Sequence, residues 1–96
     1  GLPHFGYTEP ELENILQIMK DNYPLIDKIY IFIKRSGGDN PIKIYKFESG
    51  SLNRIAEQTA YTITIDETEY TFSSESNNFY YLIVQEREGQ QYSIKG

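Results

Sequence analysis

Residues 28–34 read KIYIFIK, and every residue between the two lysines is aliphatic or aromatic. A strand with one face in water alternates apolar with polar side chains, and this one does not. Its odd positions, Ile29, Ile31 and Ile33, make an aliphatic face. Its even positions, Lys28, Tyr30, Phe32 and Lys34, make an aromatic face with cationic ends. Two outcomes are open: a strand covered on both sides, or one that turns its aromatic face outward to meet a partner.

A cover for the aliphatic face is written upstream, in TEPELENILQIMKDNYP. Thr8 followed three residues later by Glu11 is a capping-box pattern, Pro10 falls in the tolerant first turn, and Tyr7 and Leu12 are spaced as a hydrophobic staple. Glu9, Glu11 and Glu13 gather at the positive end of the helix dipole and Lys20 near its negative end. Leu12, Ile15, Leu16, Met19 and Tyr23 recur at three and four residues, which predicts one apolar stripe opposite Glu13, Gln17 and Lys20. Asn22 and Pro24 end the helix. The glutamates read as dipole complements rather than as acid–base groups.

Downstream, almost every segment reads as strand. SGGDNP is a loop joining 27–35 to 41–48, with Gly37 and Gly38 as turn residues. Pairing Ile33 with Ile42 sets Ile31 against Ile44 and Tyr30 against Tyr45. A two-residue turn at Ser49 and Gly50 folds 51–57 back, with Phe47 beside Leu52, Tyr45 beside Arg54 and Ile44 beside Ile55. A helix over SLNRIAEQ is the rival reading. In YTITIDETEYTFS, alternation puts Tyr61, Ile63, Ile65, Tyr70 and Phe72 on one face and Thr62, Thr64, Thr71 and Ser73 on the other, with the turn at Glu67 and Thr68. After the polar loop SSESNN, FYYLIVQ is apolar on both parities, and REG before QQYSIK fits a three-residue hairpin with Gly89 in the left-handed region. That register pairs Val84 with Tyr92 and Leu82 with Ile94, expects all four to be buried together, and leaves Phe79, Tyr81 and Ile83 to be covered from the other side.

These elements predict an α+β architecture: one N-terminal helix packed on a twisted antiparallel meander sheet of six or seven strands. A curled, partly closed barrel is the alternative. Ninety-six residues are expected to form a single domain, 1–96, with 1–7 as a loose N-terminal segment. Nine Tyr and five Phe against one Met and no Trp put much of the apolar area on rings.

Most chemistries find no residues to carry them. The chain has no cysteine, which removes disulfides, thiolate nucleophiles and cysteine metal sites. His4 is its one histidine, in the segment expected to be loose, so neither a nucleophile–base pair nor a histidine metal site is expected. RSGGDNP lacks phosphate-loop spacing and joins two strands instead of opening a helix. Asp66, Glu67 and Glu69 match no calcium loop and read as solvated turn carboxylates. No catalytic residue, metal site or cofactor is expected, and no apolar run approaches the length of a membrane span.

The formal charge of −5 argues against a nucleic-acid backbone as partner. It is unevenly spread: residues 28–54 carry six cations and two acids, a local +4, and the remainder sums to −9. In the register above, Lys28, Tyr30, Phe32 and Lys34 share a face with Lys43, Tyr45 and Phe47 and, if the third strand forms, with Leu52 and Arg54. All but Leu52 are the eight candidate binding residues if that face is exposed, and interior filling if the second half of the sheet covers it.

Two functions follow. The first is a non-catalytic interaction module, exported or part of a larger cell-envelope protein, that binds a protein or glycan through this face or through an edge strand. The second is a small acidic intracellular inhibitor or immunity-type protein that blocks a basic nucleic-acid-handling partner. The start without Met suggests a processed form or a piece of something longer. It favours the first function, and with it an extracellular or periplasmic location over a cytoplasmic one.

Overall fold

The structure, a computed structural model, describes residues 8–35, 40–72 and 79–95. Helix α1 (Glu9–Asn22) starts as its sequence predicts. The Thr8 hydroxyl accepts from the Glu11 N–H at 3.4 Å, and the Glu11 carboxylate accepts from the Thr8 N–H at 3.2 Å. Leu12 and Leu16 are buried, and Met19 packs on the core from the same stripe. Tyr23 departs from expectation. It is the C-cap, with φ −129° and ψ 79° turning the chain off the helical path, and its side chain stays largely exposed. Tyr7, the proposed staple residue, lies outside the described residues, as do His4, the turn glycines 37 and 38, and the SSESNN loop.

Seven strands follow: β1 (Ile26–Lys34), β2 (Ile42–Glu48), β3 (Ser51–Gln58), β4 (Thr62–Ile65), β5 (Thr68–Thr71), β6 (Phe79–Glu86) and β7 (Gln91–Lys95). The α+β class is the one expected, with strand rather than helix over SLNRIAEQ. The strands are divided, however. Five form one antiparallel sheet in the order β3-β2-β1-β6-β7, while β4 and β5 form a separate hairpin. The sheet is open, with β3 and β7 at its edges.

This division follows from β1 and β6, the two strands whose runs are most continuously apolar. They pair with each other at the sheet centre, Ile31 opposite Leu82 and Phe32 opposite Tyr81. A central pair that is apolar on both faces needs a layer on each side. On one side α1 seats Leu16 against Ile29, Ile31, Phe47, Leu82 and Val84. On the other, the β4–β5 hairpin brings Ile65 and Phe72 onto Tyr30, Phe32, Ile42, Ile44, Phe79 and Ile83. Phe72 is the centre of this second layer. Its ring centroid lies 5.3 Å from Phe32, 5.3 Å from Phe79 and 5.2 Å from Tyr81, edge-on to the first and last. Ring pairs of this kind each contribute about 0.5–1.5 kcal/mol beyond their buried area.

The β1–β2 register differs from expectation by one residue, and the consequence is large. Ile33 pairs with Lys43, Phe32 with Ile44 and Ile31 with Tyr45. A slip of one exchanges every side chain between faces. Ile42 and Ile44 therefore lie under the hairpin with the rings of β1, and Lys43, Tyr45 and Phe47 lie on the helix side. Pattern alone does not choose here, because both parities of β1 and β2 carry large apolar residues.

The β2–β3 turn at Ser49 and Gly50 is as expected, with φ of 54° and 78°, and pairs Phe47 with Leu52 and Tyr45 with Arg54. Beyond it a bulge leaves Ile55 unpaired, so Ile44 meets Ala56 instead. The β4–β5 turn sits at Asp66 and Glu67, one residue earlier than expected, and pairs Ile63 with Tyr70. That changes partners by two positions, so the face assignments survive. The β6–β7 hairpin has the expected register, Val84 with Tyr92 and Leu82 with Ile94, and Gly89 has φ 91°. Tyr92 is nonetheless 51% exposed instead of buried, because β7 is the outermost strand and α1 lies toward the opposite edge, closest to β3; the side chain of Ile94 lies outside the described residues.

Candidate functional site

The eight residues expected to share one face are divided by the observed register. Lys28, Tyr30, Phe32 and Lys34 face the hairpin, and Lys43, Tyr45, Phe47 and Arg54 face the helix layer. The reading of a single exposed aromatic and basic face is corrected accordingly. Phe32 is 0% exposed, Phe47 2%, and Tyr30 and Lys34 6% each, so these four are interior groups. The strands after residue 60 supply the cover that was in question.

Around Tyr30 the hairpin tip closes a small polar cluster. The phenol donates to the Asp66 carboxylate at 3.5 Å, and Lys28 reaches the same carboxylate at 3.4 Å. Burial, reinforced by the negative charge of Asp66, pushes the Tyr30 phenol above its ordinary pKa. It therefore stays a protonated donor. Lys46, opposite Tyr30, pairs with Glu48 at 2.8 Å. That hydrogen bond raises the lysine pKa and lowers that of the glutamate. The cluster anchors the hairpin to the sheet.

The residues on the helix side make the more open arrangement. Between the N-terminal turn of α1 and the adjoining ends of β1, β2 and β3 lies a cleft of about 410 Å³. This is within the size range of small-ligand sites, about 300–1,000 Å³. Leu12, Ile33, Tyr45 and Leu52 supply its apolar and aromatic lining. Glu9, Arg35, Lys43 and Glu57 place charges of both signs around it. Each position has a local cause. The capping box fixes Glu9 and Leu12 at the helix start, the Ile33–Lys43 pair sets two lining residues side by side, and the tight turn at Ser49 and Gly50 returns Leu52 against Phe47.

Tyr45 is half-buried in this cleft. Burial raises its phenol pKa, and the Glu9 carboxylate adds to the rise, against the opposing effect of Arg54 and Arg35. Its hydroxyl is thus a neutral donor and acceptor set among carboxylates and guanidinium groups. Arg54 lies beyond the cleft wall and contacts Glu57 at 3.8 Å. Of the eight sequence candidates, Lys43 and Tyr45 line the cleft. Glu9, Leu12, Ile33, Arg35, Leu52 and Glu57 were not singled out as site residues. They converge only once α1 is placed over one end of the sheet, a relation that no local pattern expresses.

Among the described residues no cluster of three or more histidines and carboxylates is placed to hold a metal ion, and no helix is long and apolar enough to cross a membrane. Comparisons with protein-family models, with curated proteins and with solved structures each returned no match.

Proposed function

We propose that this chain is a non-catalytic binding module that takes part of a protein or a glycan into the cleft between α1 and the ends of β1–β3. One observation carries the reading: a half-buried tyrosine, Tyr45, stands in a concave site with an apolar lining and charges of both signs at its margin. Such a site offers ring area for a sugar face or an apolar side chain. Its polar groups, Lys43, Arg35, Glu9 and Glu57, fit hydroxyls, amides or a short run of mixed charge. The Tyr45 phenol is held protonated, which suits hydrogen bonding to such groups.

The test is a screen of the intact chain against a peptide array and a glycan array, followed by NMR titration of the hits. Saturable shifts at the amides of Leu12, Ile33, Tyr45 and Leu52 are expected, together with at least about a tenfold weaker Kd for Tyr45→Ala. Hits that shift only residues away from the cleft, or the absence of any hit, would overturn the reading.

A further inference from the structure

The two edges of the sheet are protected to different degrees. On β3, the Leu52 N–H donates to the Glu13 carboxylate of α1 at 2.6 Å, and the bulge at Ile55 interrupts the outer line of backbone groups. Occupied groups and bulges are standard obstacles to edge-to-edge pairing. β7 shows neither among the described residues. It pairs with β6 without a register shift and has no strand on its other side.

The hydrogen-bond phase of β7 defines what could pair with it. The Glu86 N–H donates to the Gln90 carbonyl at 2.7 Å, so Gln90 points its backbone toward β6. By the alternation of an antiparallel ladder, residues 92 and 94 do the same, while Gln91, Ser93 and Lys95 direct theirs outward. Three N–H and three C=O groups line this edge.

We propose that β7 is the contact between two copies of this chain, paired antiparallel about Ser93. In that register Ser93 meets Ser93 of the second copy and Gln91 meets Lys95, so every outward residue faces an outward residue and six backbone hydrogen bonds form. A one-residue slip would set outward residues against inward ones. Tyr92, 51% exposed in the single chain, falls at a non-hydrogen-bonded position of that ladder, where side chains of the two copies approach most closely. Charge singles out this edge. Copies of a chain with net charge −5 repel each other, yet residues 89–96 contain no acid and one lysine, whereas at the β3 edge Arg54 and Glu57 offset each other and the Glu13 carboxylate adds a negative charge. The product is a two-fold, ten-stranded sheet with both helices on one side. The clefts beside β3 then lie at its two far ends and remain open.

The test is sedimentation of the intact chain over a concentration series, combined with amide hydrogen exchange. A dimer is expected in which the amides of Gln91, Ser93 and Lys95 gain protection with concentration, while those of Tyr92 and Ile94 are protected throughout. Ser93→Pro removes an N–H that β6 does not use, so it should keep the fold and abolish the dimer. Ser93→Lys sets two ammonium groups opposite each other only in the dimer, and should weaken association by at least about tenfold even if the proline variant misfolds. A chain that stays monomeric at millimolar concentration, a dimer whose outward amides exchange as in the monomer, or a dimer indifferent to Ser93→Lys would overturn the proposal.

Discussion

The Glu13 carboxylate on α1 accepts the N–H of Leu52 on the outer edge of β3, at 2.6 Å. One side chain thus joins the helix to the far strand of the sheet and satisfies an edge amide that would otherwise face water or another chain. It also holds Leu52 in the lining of the cleft. Glu13→Ala is expected to cost about 1.5–3 kcal/mol, the range for a hydrogen bond to a charged group, and Glu13→Gln less, since an acceptor remains. Urea denaturation measures both, and faster exchange of the Leu52 amide in the alanine variant would locate the loss.

Phe72 holds the β4–β5 hairpin to the sheet through its contacts with Phe32, Phe79 and Tyr81. Phe72→Ala is expected to destabilise the chain by about 3–5 kcal/mol, the usual cost of emptying a ring site in a core. The rings of Tyr30 and Phe32 should then become accessible, which dye binding would report. Wild-type stability in Phe72→Ala would show that the hairpin does not depend on this contact.

The turn between β4 and β5 is built from two non-glycine residues in the left-handed region, Asp66 at φ 47° and Glu67 at φ 69°. Such a turn favours glycine at its second position. Glu67→Gly is expected to raise stability by about 0.5–1 kcal/mol, because the relief of left-handed strain exceeds the added entropy of the unfolded chain. A higher urea midpoint with an unchanged slope is the expected result.

Three phenols, Tyr30, Tyr45 and Tyr70, have their pKa raised, in each case chiefly by burial. In the unfolded chain they ionise near the ordinary value of 10.0. The folded state holds their protons more tightly, so the stability this confers is fully present below about pH 10 and is lost as pH climbs through the raised folded values. Urea midpoints between pH 8 and pH 12 should fall at the alkaline end, where Tyr30→Phe should lessen the fall.

Much of this fold is legible in local pattern. The capping box of Thr8 and Glu11, the Ser49–Gly50 turn, the REG hairpin and the apolar face of Tyr61, Ile63, Ile65, Tyr70 and Phe72 all depend on residues close together in the chain. The β4–β5 face follows from alternation even though its turn lies one residue earlier than the pattern predicts, since a partner change of two preserves the side of every side chain. The candidate site was less legible. The sequence marks Lys43 and Tyr45, but on a face they do not share with Tyr30 and Phe32.

From the sequence alone came the statement that KIYIFIK needs a cover for its aliphatic face, together with the helix that provides one. Which side chains of β2 join that face, and whether Tyr30 and Phe32 meet water or a second layer, was decided only by tertiary structure. The physical reason is the near-equal hydrophobicity of the two parities of β1 and β2. With no polar face to exclude one register, the choice falls to long-range packing. The pairing of β1 with β6 and the arrival of Phe72 over the central rings made it, interior for Tyr30, Phe32, Lys34 and Phe47 and cleft or surface for Lys28, Lys43, Tyr45 and Arg54.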